Sequence, residues 1–215
     1  MTILSERFSQ AVDYARIAHA HQVRKGSGIP YLYHLLAVAS LVLEHGGNED
    51  QAIAGLLHDV VEDCGAEHAG RVRTEFGDQV AEIVIACTDG TAEGKATHAD
   101  PEAKRRDWMA RKLAYLEHLA HAPESTLLVS GCDKLHNARA ILIDLEDRNV
   151  GQSVFARFTG GREGTLAYYQ SLANIFSRRN VPVSTQLESV VGRMHQLAGN
   201  AVREPLHVAA SVRSA

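Results

Sequence analysis

The run Leu57-His58-Asp59-Val60-Val61-Glu62-Asp63 sets a histidine beside an aspartate and follows them, at helical spacing, with two more carboxylates. On an α-helix His58 and Glu62 are i,i+4 neighbours, while Asp59 reaches Glu62 at i+3 and Asp63 at i+4. Ile53, Leu56, Leu57, Val60 and Val61 make the other side of that helix apolar. A packed interior would not tolerate the polar set unpaired. A divalent metal with an adjacent general acid or base accounts for it. The plainer reading is a surface helix with an acidic C-terminal end, which the helix dipole disfavours.

Two further segments add partners of the same chemical kind. Upstream, Arg24-Lys25-Gly26-Ser27-Gly28-Ile29-Pro30-Tyr31-Leu32-Tyr33-His34 runs from a basic, glycine-broken turn into a new helix. Pro30 suits the first helical turn, and His34 precedes the apolar run Leu35, Leu36, Val38, Ala39, Leu41, Val42. Downstream, Asp133-Lys134-Leu135-His136-Asn137-Ala138-Arg139 lies in a long helical pattern that puts Asp133 and Asn137 on one face. His34, His58, Asp59 and Asp133 then form a set of two imidazoles and two carboxylates. Nitrogen and oxygen ligands without a thiolate suit Mn²⁺ or Fe²⁺ better than a structural zinc. Four protein ligands leave positions open for water and a phosphate oxygen, the arrangement a phosphohydrolase needs.

The H…HD…D series resembles the HD-domain phosphohydrolase superfamily. The wording RKGSGIPYLYH, LLHDVVED, FGDQVAEIVIACTDG and KLHNARA, in that order, resembles the hydrolase domain of RelA/SpoT-type alarmone enzymes, and most of all the stand-alone small alarmone hydrolases that include the metazoan SpoT homologues. The similarity runs over about residues 5 to 180. Its discriminating features are the basic RKG turn before the first histidine and the ED pair after HD.

The resemblance implies an all-α HD-domain helical bundle with a metal site in its core. It also implies a manganese ion, one per chain, on His34, His58, Asp59 and Asp133, with Fe²⁺ or another divalent ion as alternatives. Glu62 and Asp63 fall on the acidic pair that polarises the attacking water or relays its proton. Arg24, Lys25 and Ser27 fall on the loop that holds the nucleotide, and Asn137 on a nucleotide-contacting asparagine. Two positions depart from the pattern: Cys64 stands where threonine often follows ED, and Ala140 where a threonine commonly helps hold the nucleotide. The implied reaction is hydrolysis of a (p)ppGpp-type alarmone at its 3′-pyrophosphate, releasing pyrophosphate. Two other classes stay open: an HD phosphohydrolase acting on (p)ppApp or the 2′-phosphate of NADPH, and a catalytically idle nucleotide-binding regulator.

The rest of the chain reads as support for one such site. At 215 residues, with 45% hydrophobic and 22% charged content, one sizeable core is expected over residues 1–200, with a weakly ordered tail over 201–215. A net charge of −4 argues against bulk electrostatic binding of nucleic acid; the resemblance implies a small-molecule nucleotide as the partner, and the oligomeric state is undefined. Three isolated cysteines, Cys64, Cys87 and Cys132, read as reduced thiols. With no signal-peptide pattern at the start and no apolar run of about 20 residues, the expected location is the cytoplasm, away from membranes. Helical periodicity predicts helices over 5–21, 30–46, 49–63, 66–75, 77–87, 101–120, 124–147, 152–178 and 185–199, with Ser5 and Asn48 as N-caps. Asp89 to Pro101 is the expected mobile loop. Lys104-Arg105-Arg106 with Arg111-Lys112 reads as a solvated face or a positive rim for a polyphosphate. Trp108, Tyr115 and Leu116 are expected to seat that helix on the core, and Tyr168 and Tyr169 to be either core or nucleotide-facing. Gly160-Gly161-Arg162 reads as a helix break, from which Arg162 has the reach to contact a phosphate.

Overall fold

The computed structural model describes residues 2–88, 100–200 and 202–207. The expected mobile loop, apart from Asp100 and Pro101, and most of the expected tail lie outside the described residues.

Ten α-helices account for the described fold: α1 (Glu6–Ala18), α2 (Leu32–Glu44), α3 (Glu49–Leu57), α4 (Val60–Cys64), α5 (His68–Phe76), α6 (Asp78–Cys87), α7 (Pro101–His121), α8 (Glu124–Glu146), α9 (Gly161–Arg178) and α10 (Ser184–Leu197). The start signals work as the sequence predicts. Ser5 Oγ accepts from Arg7 N, and Asn48 forms a reciprocal capping box with Gln51 ahead of α3. Asp100 and Pro101, expected at the end of the mobile loop, instead open α7: Asp100 accepts from the amides of Glu102 and Ala103, and Pro101 lies in the first turn.

The long helix α8 runs through the middle, burying Leu127, Leu128, Val129, Cys132, Leu135, Ala138 and Ile141. Helices α2, α3 and α6 pack on one side of it and α9 and α10 on another. Gly55 brings α3 close to α2, since a Cβ there would stand 3.2 Å from the Cα of Ala39. That close approach fixes the spacing of the two helices that carry His34 and His58. Tyr115 and Leu116 are buried, and Trp108 lies half-buried against the core, so α7 is seated as expected. A Cβ on Gly160 would fall 2.5 Å from the Trp108 ring and one on Gly164 3.1 Å from it, so glycine at these two positions makes room for the indole. Tyr168 and Tyr169 are both core.

Two predicted helices are each divided. The helix expected over 49–63 stops at Leu57 and restarts at Val60. His58 Nδ1 reaches back to the carbonyl of Gly55 at 2.9 Å, competing for a group the helix would use itself, and Asp59 adopts φ −97°, ψ −5°. The segment expected as one helix over 152–178 is a 3₁₀ turn, Gly151–Arg157, followed by α9, with Gly161 at φ +61° between them. Periodicity is blind to such breaks because apolar residues continue in phase on both sides. The basic residues of α7 form a solvated face: Lys104, Arg105 and Arg106 are exposed, Arg106 pairs with Asp100 and Glu102, and Arg111 with Asp107. Among the described residues no helix is long and apolar enough to cross a membrane, and Cys64, Cys87 and Cys132 are free thiols.

Candidate metal centre and substrate loop

Four side chains from three places in the chain meet inside the bundle. His34 comes from the first turn of α2, His58 and Asp59 from the α3–α4 break, and Asp133 from the middle of α8. His34, His58 and Asp133 are 0%, 2% and 4% exposed, so water alone does not satisfy them. His58 Nε2 stands 3.0 Å from Asp59 Oδ2 and 3.5 Å from Asp133 Oδ1. His34 Nε2 stands 3.5 Å and 3.2 Å from the same two oxygens. Among the described residues His34, His58 and Asp59 offer ligand atoms within 4.8 Å of one another, and Asp133 closes the set from α8.

These separations fit a common ion: ligands at about 2.0–2.2 Å from one centre lie roughly 3–3.5 Å apart when adjacent. The hydrogen bonds give independent support. His58 Nδ1 is committed to Gly55 O at 2.9 Å and His34 Nδ1 to His136 Nδ1 at 2.8 Å. The opposite nitrogens, His34 Nε2 and His58 Nε2, are buried without a hydrogen-bond partner. Imidazoles anchored through one nitrogen, with the other facing two carboxylates, are arranged as ligating histidines are. The donor set fits a divalent cation.

The electrostatics agree. Burial by itself pushes His58 down, but Asp59 and Asp133 outweigh it and hold the imidazole well above its usual range. Burial by itself pushes Asp59 and Asp133 up. The positive charges around them prevail, His58 for Asp59 and Lys134 with His58 for Asp133, and both carboxyls lie well below the usual carboxylate range. Two buried negative charges therefore draw in positive charge, as protons or as a divalent ion.

A second layer holds the four. The Tyr31 hydroxyl donates to Asp59 Oδ2 at 2.6 Å; burial and the neighbouring Asp59 raise its pKa far above the ordinary phenol value, so it stays a donor. Lys134 Nζ donates to Asp133 Oδ2 at 2.6 Å while lying over the Tyr115 ring. Asn137 Nδ2 donates to Asp133 Oδ1 at 2.5 Å. His136 is pushed down to about 4 by burial, with His34 and Arg24 adding to it, and remains neutral.

The basic turn reaches this cluster through one residue. Arg24 Nη2 donates to Asn137 Oδ1 at 2.7 Å, giving a continuous line from Arg24 through Asn137 to Asp133. The turn is clasped by Arg24 N to Ile29 O at 2.8 Å and Gly28 N to Arg24 O at 3.1 Å, with a bridge between Val23 and Pro30. Lys25 and Ser27 lie on its exposed crown, where Ser27 Oγ accepts from Ile29 N at 3.4 Å. Beneath Gly26, at φ +92°, sits the guanidinium of Arg157, 2.3 Å from where a Cβ would be, and Arg157 pairs with Asp144 at 2.5 Å.

Glu62 and Asp63 follow the cluster on α4, both half-buried. Asp63 Oδ2 accepts from Gln22 Nε2 at 2.8 Å, beside an open cleft lined in part by His21, Cys64 and His68. The reach from Arg162 to a phosphate is not borne out: its guanidinium donates to Ala198 O at 2.6 Å, at the end of α10. The sequence reading passed over Tyr31, Lys134, Gln22 and Arg157. A tyrosine three residues before a candidate ligand, and a lysine next to another, were signals available to it. Arg157 carried none, because its role depends on a glycine far away in the chain.

An HD domain family model matches residues 11–166, most of the chain, and the chain belongs to that family. Similar proteins include the guanosine-3′,5′-bis(diphosphate) 3′-pyrophosphohydrolase of Xenopus tropicalis, 34% identical over 133 residues that cover 60% of this chain and 66% of that one. A probable GTP pyrophosphokinase of Mycobacterium leprae is 34% identical over 134 residues, 61% of this chain and 15% of its own length. The chain thus spans between 15% and 66% of these two relatives. Among solved structures, a metazoan ortholog of SpoT described as hydrolysing ppGpp superposes with a TM-score of 0.65 at 22% identity, covering 93% of this chain and 99% of that one. That likeness is one of fold.

Proposed function

We propose that this chain is a metal-dependent hydrolase of (p)ppGpp-type nucleotide alarmones, cleaving the 3′-pyrophosphate. The observation that carries the reading is the hydrogen-bonded line from Arg24 through Asn137 to Asp133, which joins a cationic substrate turn to a buried two-histidine, two-aspartate cluster. The relative from Xenopus tropicalis, named for this reaction, supports the substrate class.

In this reading His34, His58, Asp59 and Asp133 hold one divalent ion, Mn²⁺ being preferred by the nitrogen and oxygen donors. Such an ion supplies Lewis acidity, lowering the pKa of a water and neutralising phosphoryl oxygens. Arg24 grips phosphate oxygens through two N–H groups, Lys25 adds a point charge, and Ser27 and Asn137 orient the nucleotide. Glu62 and Asp63 orient the attacking water or take its proton, which is then available to O3′ as it leaves. The water oxygen bonds to the proximal phosphorus, the bond from that phosphorus to O3′ breaks, and O3′ takes up a proton. The products are pyrophosphate and a nucleoside 5′-di- or triphosphate. The cytoplasm, where such nucleotides and reduced thiols coexist, is the proposed location.

The test is hydrolysis by the purified protein with Mn²⁺ of ppGpp, ppApp and NADPH at equal concentration, with products separated by ion exchange. Pyrophosphate release from ppGpp with the highest kcat/KM is the expected result. Preference for NADPH would overturn the pyrophosphohydrolase reading. Preference for ppApp would overturn only the base, at the point where Ala140 lacks a hydroxyl.

A further inference from the structure

Tyr31 touches the basic turn, two candidate metal ligands and His19, the residue that ends α1. Its backbone N–H donates to Gln22 O at 2.9 Å, pinning the residue where the turn becomes α2. Its ring is fixed by neighbours on several sides. His19 stacks on it at 5.3 Å and 24°, and His34 meets it edge-on at 5.4 Å and 67°. The Arg24 guanidinium lies 5.7 Å from its centroid. The hydroxyl of this immobilised ring donates to Asp59 Oδ2 at 2.6 Å, the length of a charge-assisted O–H···O⁻ bond.

The oxygen it meets matters. Asp59 Oδ2 is the same atom that stands 3.0 Å from His58 Nε2 and 3.5 Å from His34 Nε2, so the phenol directs the oxygen aimed into the cluster. Asp133 is steered by Lys134 and Asn137. For Asp59, the O–H of Tyr31 is the steering hydrogen bond from outside the histidine pair. Asp59 also sits at the α3–α4 break, where no continuous helix fixes its side chain.

Resting on the function proposed above, we infer that Tyr31 is a positioning residue with two separable duties. Its hydroxyl sets Asp59 for cation binding, and the face of its ring sets Arg24 for the substrate phosphate. A single rigid side chain therefore registers the anion clamp against the metal centre. Neither duty makes it a catalytic residue, because it acts through Asp59 and Arg24.

Three variants separate the duties. Tyr31→Phe deletes the hydroxyl and keeps the ring, so Mn²⁺ affinity, read by competition with a fluorescent chelator and without any turnover, should fall about 10–100-fold. With Mn²⁺ saturating, its KM for ppGpp should match wild type. Tyr31→Leu should lose the same metal affinity and in addition raise KM roughly 2–10-fold, the scale of a cation–π contact. Arg24→Lys loses both the planar face and the two-pronged phosphate grip, so it should raise KM at least as much as Tyr31→Leu does while leaving Mn²⁺ affinity near wild type. Wild-type Mn²⁺ affinity in Tyr31→Phe would overturn the first duty. Unchanged KM in Tyr31→Leu with Mn²⁺ saturating would overturn the second. A wild-type protein that binds no Mn²⁺, or binds it and leaves ppGpp intact, would instead overturn the proposed function.

Discussion

Gly26→Ala is the sharpest probe of how the substrate turn is held. The native φ of +92° is a conformation that L side chains rarely adopt, and holding a non-glycine residue in such a region costs about 1–3 kcal/mol. The added Cβ also falls 2.3 Å from the Arg157 guanidinium, which must swing away and leave Asp144. That ion pair is about one-third exposed on each side, 27% and 31%, so its loss adds at most about 1 kcal/mol. The turn is a surface element with few buried contacts, so the cost appears as disorder of the turn rather than global unfolding. Substrate binding needs the ordered turn, and 1–3 kcal/mol there corresponds to roughly 5–150-fold in affinity. The expected result is a KM for ppGpp raised by that factor, with Mn²⁺ affinity and melting temperature near wild type. Gly28→Ala is the control: its φ is +70°, but a Cβ there meets nothing within 4 Å, so it carries strain without collision. Gly26→Ala should therefore exceed Gly28→Ala by the lost ion pair, up to about fivefold in KM, and adding Arg157→Ala to Gly26→Ala should change little further, because that pair is already broken. If Arg157→Ala costs as much in the Gly26→Ala background as it does alone, the added Cβ has not displaced Arg157, and the reasoning fails.

Three further outcomes follow from the same geometry. Asp59→Ala deletes a ligand, so metal content of the purified variant and its activity should vanish together; full occupancy with normal turnover would refute the ligand set. Stripping the cation with a chelator should lower the melting temperature: a ligand at about 100 times its Kd adds about 2.7 kcal/mol, roughly 5–11 °C for a domain of this size. A scan unchanged by chelator would show that the cluster holds no ion under those conditions. Glu62→Gln should reduce kcat by about 10²–10⁴ if the carboxylate is the general base while metal stays bound, whereas Arg24→Ala should chiefly raise KM. The reverse pattern would exchange the two roles.

The elements that were legible in the sequence are those governed by local rules. The caps at Ser5 and Asn48, the proline start of α7 and the long apolar registers of α7 and α8 each depend on residues within a turn or two of one another. The four candidate ligands were legible for a different reason. Imidazoles and carboxylates embedded in apolar runs would be costly to bury without compensation, and that cost is visible in composition before any contact is known. The structure does bring the Nε2 atoms of His34 and His58 to 3.0–3.5 Å from Asp59 Oδ2 and Asp133 Oδ1.

What escaped the sequence is whatever depends on two distant segments at once. The break at His58 and Asp59 interrupts a flawless helical register, because the His58 ring takes the Gly55 carbonyl and so turns the second imidazole nitrogen toward α2 and α8. A continuous helix would have kept that carbonyl for its own backbone; breaking it turns the free nitrogen of His58 toward Asp59 and Asp133. The same holds for Gly26, whose need for glycine is set by Arg157 more than 100 positions away. It holds also for Tyr31, which reads locally as a helix-start aromatic and acts through Asp59 on a different helix pair. Local pattern therefore selects which residues enter the core, while the direction in which each one points is decided by hydrogen bonds that only the assembled bundle supplies.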